Sequence, residues 1–221
     1  NEGDYFVGNT GWQDYSVINP DDPGTRKVNP SVGPLSTSLG VLGHSALTAY
    51  FGLLEIGQPL PGETVLVSTA AGSVGSAVGQ IANIKGCRTI GITGGKEKAR
   101  LCTEEFGYDS AIDYKSTQDL EKELKEASPN GYDIYYDNVG GRTLDIVTGL
   151  MNQNGRIVIC GTAATEEWLP PPTGSNCCCF LLPQPGSDRQ SLPAPGPPSD
   201  DSGWRNRCLP RADPGWPGIS F

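Results

Sequence analysis

The chain has 221 residues and a formal net charge of −9, with a pI of about 4.6. This length is that of one large domain, or of one domain with extra segments. An acidic chain has no cationic field with which to collect phosphates by counterion release, so nucleic acid is excluded as an expected partner. No apolar run approaches the roughly 18 residues that a membrane span requires, so no membrane partner is expected either.

The first residues, Asn1 to Tyr5, contain no initiator Met and none of the basic and apolar regions of a signal peptide. We therefore expect a piece of a longer cytoplasmic protein. The seven cysteines follow no disulfide framework and include no CxxC pair, which argues against a structural zinc site.

The N-terminal third predicts a small β unit followed by a helix. Short aromatic and β-branched runs at 5–7 and 12–18 predict two strands, and a Pro/Asp/Gly turn cluster follows them. Apolar residues recur every three or four positions across 38–56, which predicts a helix that ends before Gly57.

From residue 63 onward, β-rich runs alternate with helical stretches of about ten residues. The predicted strands are 63–69, 88–93, 111–114, 132–138 and 156–160, and the predicted helices between them are 73–85, 96–106, 117–127 and 141–151. Because each parallel connection needs a crossover, this alternation predicts an α/β fold with a doubly wound parallel sheet of the Rossmann type. Residues 170–221 hold 12 of the 19 prolines, and we expect this segment to be irregular or disordered.

A glycine-rich motif, Ala70-Ala71-Gly72-Ser73-Val74-Gly75, follows the first strand of this sheet and opens the next helix. A dinucleotide pyrophosphate needs backbone N–H groups at a helix N-terminus and no Cβ in its way. Gly72 and Gly75 match the second and third glycines of G-x-G-x-x-G, and Ala70 replaces the first. The motif predicts dinucleotide binding; the alternative is a glycine-rich turn that only packs closely.

The next strand ends in Thr93-Gly94-Gly95-Lys96-Glu97-Lys98, without the acidic residue that an NAD site carries at this point. A lysine supplies a point charge for a 2′-phosphate, so the sequence favours NADP. The alternative is that these lysines are only solvated.

Two further candidates end strands at the same carboxyl edge of the predicted sheet. Asn138 could hydrogen-bond cofactor or substrate, or it could be a turn residue beside Gly140 and Gly141. At Cys160-Gly161-Thr162, small residues would let a nicotinamide lie flat, with Cys160 as a filler rather than a nucleophile. His44, the only histidine, has no visible metal-binding partners, so no metal is expected.

Several runs together resemble the zinc-independent medium-chain dehydrogenases/reductases, and among them the prostaglandin/leukotriene, curcumin and plant alkenal double-bond reductases. They are 47–57 (LTAYFGLLEIG), 70–75, 137–141 (DNVGG) and 155–161. The resemblance covers about residues 1–172. It implies NADPH-dependent reduction of the carbon–carbon double bond of small α,β-unsaturated ketones and aldehydes. By position, it implies a pyrophosphate site at Gly72, Ser73, Val74, Gly75 and Ser76, a 2′-phosphate site at Lys98 and Tyr114, and cofactor contacts at Asn138, Cys160, Gly161 and Thr162.

The resemblance also implies a division of the chain. Residues 1–36 would be the last part of a GroES-like domain, 37–165 the NADP-binding Rossmann domain, and 166–221 a tail that departs from the family. The family's pocket-lining tyrosines would lie outside these segments, so no catalytic residue is assigned. Two alternatives stay open, a quinone oxidoreductase and a non-catalytic NADP-binding fragment, and a homodimer is open as well.

Overall fold

The computed structural model describes residues 2–22 and 24–164. Two short strands, β1 (Tyr5–Val7) and β2 (Arg26–Val28), form an antiparallel pair. The main sheet consists of β3 (Thr64–Ser68), β4 (Arg88–Thr93), β5 (Ser110–Asp113), β6 (Tyr132–Asp137) and β7 (Met151–Ile159). The helices are α1 (His44–Phe51), α2 (Ser73–Ile84), α3 (Lys96–Glu104), α4 (Leu120–Ala127) and α5 (Gly141–Thr148). The predicted tail at 166–221 lies outside the described residues.

The strand order of the main sheet is β5-β4-β3-β6-β7, and every neighbouring pair is parallel. The chain winds outward from β3 to β5 and then crosses back to the other side of β3. This order confirms the doubly wound α/β prediction. The winding reverses between β3 and β6, and in open α/β sheets ligands bind at the carboxyl ends of the strands beside such a reversal.

Both faces of the sheet are covered, which explains the nearly continuous apolar runs of its strands. Val65 and Val67 of β3 pack on one face with α1 and α2 residues, while Leu66 packs on the other face with Leu124 and Val147. Alternate residues of one strand therefore serve two cores. No helix among the described residues is long and apolar enough to cross a membrane.

The predicted strand at 12–18 is wrong. This segment forms no strand, and Trp12, Tyr15 and Val17 are almost fully exposed. Strand β1 pairs instead with β2, where Tyr5 lies opposite Val28. Aromatic and β-branched composition favours a strand only where a partner strand and a buried face exist, and this segment has no buried residue.

The helix predicted at 38–56 is confirmed from His44 onward but is wrong in its first part and in being one regular α-helix. The chain forms a 3₁₀ turn at Leu35–Ser38, starts α1 only at His44, and continues from Gly52 to Gly57 as a π-helical turn. The hydroxyl of Tyr136, from β6, donates a 2.9 Å hydrogen bond to the carbonyl of Thr48. A methyl group at Gly52 would lie 2.5 Å from the same hydroxyl, so the change to a π-helical turn occurs where the Tyr136 side chain contacts the helix.

The remaining elements differ from the predictions mainly at their ends. Helix α4 starts at Leu120 rather than 117 because the Asp119 carboxylate caps it, accepting the N–H of Lys122 at 3.0 Å. Strand β7 begins five residues earlier than predicted, at Met151, and its pairing with β6 is interrupted by a register shift between Tyr132 and Ile134. Bulges of this kind carry no clear sequence period.

Candidate functional site

The turn from β3 into α2 is built on close backbone contacts. Gly72 is the N-cap of α2, and no side chain caps this helix within the described residues. A methyl group at Gly75 would lie 2.3 Å from the carbonyl oxygen of Thr69, and one at Gly72 would lie 2.9 Å from Thr69 Cγ2. Thr69 itself has a positive φ of 52°, which is strained for a β-branched residue. The first N–H groups of α2 are therefore placed directly over the end of β3, as a bound pyrophosphate would require.

Tyr108 packs against α2 and holds the first turn of this helix at the end of β3. Its side chain is buried, and its hydroxyl donates a 2.6 Å hydrogen bond to the carbonyl of Gly75. A methyl group at Gly79 would lie 2.2 Å from the Tyr108 ring, so the helix and the ring are in tight contact. Burial raises the pKa of Tyr108 well above its ordinary value, which keeps the hydroxyl protonated as a donor.

The ends of β4 and β5 form the side of the site where the 2′-phosphate residues were predicted. Gly94 lies against the loop that follows β5. A methyl group at Gly94 would be 3.0 Å from Tyr114 Cε1 and 3.1 Å from Lys115 Cε. Lys98 is exposed on the first turn of α3, and Tyr114 is half-exposed. Tyr114 and Lys115 are thus together beside Gly94. The sequence analysis passed over Lys115, although it is a cation directly next to Tyr114.

Gly95 and Asp113 close this side of the site. Gly95 is the N-cap of α3 with φ 104°, a conformation that favours glycine, and its N–H donates to Asp113 Oδ1 at 2.6 Å. This hydrogen bond is the main reason why the pKa of Asp113 is lowered. Asp113 therefore lies near the place where an NAD site carries the acid that binds the ribose hydroxyls. Its carboxylate, however, already accepts the backbone N–H of Gly95.

The ends of β6 and β7 bring the other predicted residues together. The side-chain nitrogen of Asn138 donates to the carbonyl of Ser68 at 2.7 Å, which joins β6 to β3. The N–H groups of Cys160 and Gly161 both donate to the carbonyl of Asp137, at 2.7 and 3.1 Å. Thr162 is exposed, and its Cα would lie 3.7 Å from a methyl group at Gly140. Asn138 and the 160–162 segment thus meet at one edge, next to β3.

The sequence analysis assigned no role to three residues that organise this edge, Ser68, Asp137 and Tyr108, although Asp137 lies in the 137–141 run that carries the family resemblance. Ser68 and Asp137 are buried and polar, and each is the last residue of a strand whose preceding residues are apolar or aromatic, Val65–Val67 in β3 and Ile134–Tyr136 in β6. A polar residue at the carboxyl end of a buried parallel strand is a signal that could have identified both. Tyr108 follows α3 without any such pattern.

The thiols and the histidine show no reactive or metal-binding arrangement in the described part of the chain. Cys87 and Cys102 are buried free thiols, and burial raises the pKa of Cys102 to about 11. His44 is exposed at the start of α1. Residues 2–22 and 24–164 contain no cluster of three or more His, Cys, Asp or Glu side chains that could hold a metal ion.

Comparison with known proteins agrees with this geometry. Residues 73–175 match the family model described as zinc-binding dehydrogenase. The chain is 48% identical over 183 residues to the NADPH-dependent curcumin reductase of Escherichia coli, covering 81% of this chain and 51% of that protein. It is 46% identical over 160 residues to a 2-alkenal reductase (NADP⁺-dependent) of Nicotiana tabacum, covering 72% and 46%.

A solved structure, that of CurA from Vibrio vulnificus in complex with NADPH, is similar with a TM-score of 0.67 and 41% sequence identity. The similarity covers 79% of this chain and 51% of that one. The chain spans about half the length of the curated relatives it matches. The motifs, the sheet order and these similarities agree: over about half of their length, the chain is similar to the curcumin, prostaglandin and 2-alkenal reductases, as expected for the medium-chain dehydrogenase/reductase group.

Proposed function

We propose that this chain is the nucleotide-binding part of an NADPH-dependent reductase that acts on the carbon–carbon double bond of α,β-unsaturated ketones and aldehydes. The observation that carries the proposal is the turn at Gly72 and Gly75, which lies beside the reversal of the sheet. No side chain among the described residues caps the first turn of α2 there. The E. coli relative and the V. vulnificus structure are described with NADPH, which supports this choice of cofactor.

The residues present fit a dinucleotide. The backbone at Gly72–Ser76 would hold the pyrophosphate, because no Cβ intervenes and the helix N-terminus favours negative charge. Lys98 and Tyr114 would contact the 2′-phosphate, and Lys115 lies beside Tyr114 to share that charge. Asn138 and the segment Cys160, Gly161 and Thr162 would contact the nicotinamide half, because they lie at the ends of β6 and β7 on the opposite side of β3.

NADPH supplies a hydride for the β-carbon of the substrate. The chain's own part is binding and orientation: the first turn of α2 fixes the pyrophosphate, and the β6 and β7 ends fix the nicotinamide side. Accurate placement of two reactants supplies a large share of an enzyme's rate. No residue is assigned as the proton donor.

The proposal also covers the domain division, the partners and the location of the protein. Residues 37–165 would form the nucleotide-binding domain, and β1 and β2, within residues 1–36, would belong to a neighbouring GroES-like β domain. A small unsaturated carbonyl compound is the proposed partner, without nucleic acid, because the net charge is −9. We further propose a cytoplasmic location and a homodimer, whose state size-exclusion chromatography with light scattering would measure.

The test is NADPH oxidation by the 221-residue chain with a panel of enones, enals and quinones, with products identified by mass spectrometry. Gain of two hydrogens across the carbon–carbon double bond of enones and enals is the expected result. Turnover of quinones alone would favour a quinone oxidoreductase. NADPH binding without any turnover would identify a non-catalytic NADP-binding fragment, and absence of binding would reject the proposal altogether.

A further inference from the structure

Asp137, the last residue of β6, has a fully buried side chain that accepts five hydrogen bonds. Its Oδ1 atom accepts from Ser68 Oγ at 3.0 Å and from Tyr135 Oη at 2.8 Å. Oδ1 also accepts the N–H groups of Val139 and Gly140 at 2.9 and 3.0 Å, and Oδ2 accepts that of Gly140 at 3.1 Å. A buried carboxylate is costly unless donors satisfy it, so this degree of satisfaction explains why it is tolerated.

We call this arrangement the Asp137 clasp: the side chains of Ser68, Tyr135 and Asp137 with the N–H groups of Val139 and Gly140. Burial, and next the Asp137 carboxylate, raise the pKa of Tyr135 far above its ordinary value, so its hydroxyl remains a donor. The Ser68 hydroxyl, which donates to Asp137, accepts the N–H of Asn138 at 2.8 Å. The clasp therefore joins the ends of β3 and β6 and the loop after β6.

The backbone of Asp137 extends this connection to a third strand. Its carbonyl accepts the N–H groups of Cys160 and Gly161 at the end of β7. Asp137 thus contacts the end of β3, which leads into the pyrophosphate turn, and both segments that carry the predicted nicotinamide contacts. Ser68 at the end of β3 and Asp137 at the end of β6 are 69 residues apart along the chain.

We propose that Asp137 is a positioning residue that sets the Asn138–Gly140 loop and the Cys160–Gly161 segment relative to the pyrophosphate turn, so that they receive the nicotinamide riboside. This inference rests on the proposed function, since it names how the same site holds one half of its cofactor. The clasp lies on the β6–β7 side of the sheet reversal. The adenosine half is expected on the other side, at the ends of β4 and β5.

A hydrogen bond next to the clasp determines which atom of Asn138 is available to a ligand. The carbonyl of Ser68 can only accept, so the Asn138 atom facing it is the side-chain nitrogen. The side-chain oxygen of Asn138 accepts no hydrogen bond from the described residues, and it is left as an acceptor. The carboxamide N–H₂ or a ribose hydroxyl of the nicotinamide riboside could donate a hydrogen bond to this oxygen.

The same strand offers a matched control. Asp133, four residues before Asp137 at the other end of β6, also accepts two hydrogen bonds, which are partly buried: from the N–H of Thr64 and from Asn152 Nδ2, both at 2.8 Å. Asp133 lies at the amino edge of the sheet, away from the predicted nucleotide contacts. Asp133→Asn should therefore lower stability without changing how the nicotinamide half is held.

The experiment compares the wild-type chain with Asp137→Asn, Ser68→Ala and Asp133→Asn by calorimetric titration with NADPH and with 2′,5′-ADP, which lacks the nicotinamide riboside and its 5′-phosphate. Thermal unfolding of each protein is measured alongside. Asp137→Asn removes one accepting carboxylate oxygen, and Ser68→Ala removes both hydrogen bonds of the Ser68 hydroxyl. We expect each variant to weaken NADPH binding about tenfold. Binding of 2′,5′-ADP should change less than about twofold, because a positioning role at the nicotinamide side leaves the adenosine half intact.

Equal weakening for both nucleotides, or the same weakening in Asp133→Asn, would overturn the inference, because general destabilisation acts on both halves alike. If Asp137→Asn does not fold, Ser68→Ala carries the same comparison. Failure of the wild-type chain to bind NADPH would count against the proposed function. In that case, hydrogen exchange of the ligand-free chain tests the clasp. Ser68→Ala should speed the exchange of the Val139 and Gly140 amides, whereas Asp133→Asn should not. Unchanged exchange in Ser68→Ala would refute the clasp.

Discussion

The two sides of the candidate site are constructed by opposite means. On the side of β3, β4 and β5, the surface is formed by glycines whose missing Cβ atoms allow backbone and ring contacts, as at Gly75 and Gly94. On the side of β6 and β7, the loops are held by a buried carboxylate and its donors, centred on Asp137. The first side should therefore be sensitive to added atoms, and the second to the removal of a single hydrogen-bonding group.

The largest effect is expected on the glycine side, from Gly75→Val. The new Cβ would lie 2.3 Å from the carbonyl of Thr69 and 2.8 Å from Ala70 Cα, and backbone atoms cannot move aside cheaply. We expect a loss of roughly 3 kcal/mol or more in the free energy of unfolding, together with loss of NADPH binding. Urea denaturation and calorimetric titration measure the two quantities.

Gly95→Ala is the control for that prediction, because a methyl group there meets nothing within 4 Å and its cost comes only from φ 104°. It should cost about 1 kcal/mol. A smaller loss of stability in Gly75→Val than in Gly95→Ala would show that close backbone contact does not define the turn.

A second prediction concerns a region that belongs to neither side. Glu63, at the amino edge beside β3, forms a largely buried ion pair with Arg156, which also donates to the carbonyl of Gly57. Burial alone would raise the pKa of Glu63, but the hydrogen bonds from Arg156 and from the Leu60 N–H outweigh it, and the pKa is lowered. The resulting stability is present above the unfolded-state pKa and is lost as the pH falls through the folded-state pKa.

Glu63→Gln should therefore lower the free energy of unfolding at pH 7 by about 1–2 kcal/mol and reduce its dependence on pH below about pH 5. Urea unfolding at a series of pH values measures both. Because the pair lies at the amino edge of the sheet, NADPH affinity should be unchanged in the folded variant. An acid-sensitivity equal to that of the wild type would contradict the assignment.

Third, Tyr108→Phe removes the 2.6 Å hydrogen bond to the Gly75 carbonyl and keeps the ring that packs on α2. The expected cost is about 1 kcal/mol in the free energy of unfolding, since one buried hydrogen bond is lost. Chemical denaturation measures it. A neutral or stabilising result would mean that ring packing alone positions α2.

The smallest effect is expected from Lys98→Ala, because this side chain is exposed and solvent screens its charge. NADPH binding should weaken by about 1 kcal/mol, roughly fivefold, whereas NADH binding should barely change. Lys115→Ala is the matched comparison beside Tyr114. Equal losses for both cofactors would remove Lys98 from the 2′-phosphate site.

The difference between the two sides also explains what could be predicted from the sequence. The turn at Gly72 and Gly75 was found because its glycines have a fixed spacing within one strand–turn–helix unit. The parallel sheet was found because the alternation of its elements is local as well. The Asp137 clasp was missed because Ser68 and Asp137 are 69 residues apart, and only the pairing of β3 with β6 brings them together.

The same reason accounts for the two elements that were predicted wrongly. The helix expected at 38–56 changes to a π-helical turn where Tyr136, 88 residues away, donates to the carbonyl of Thr48. The strand expected at 12–18 has the right composition, yet β1 pairs with β2 instead. In both cases tertiary contacts outweighed local preference.

The central claim is that the carboxyl edge of the main sheet binds NADP(H). It is tested most directly by following the backbone amide resonances of the isotope-labelled chain during titration with NADPH. We predict saturable shifts at Ser73–Ser76, Asn138–Gly140 and Cys160–Thr162, with the amides of α4 (Leu120–Ala127) unchanged. Shifts confined to other parts of the chain, or no shifts at millimolar NADPH in a folded sample, would contradict the claim.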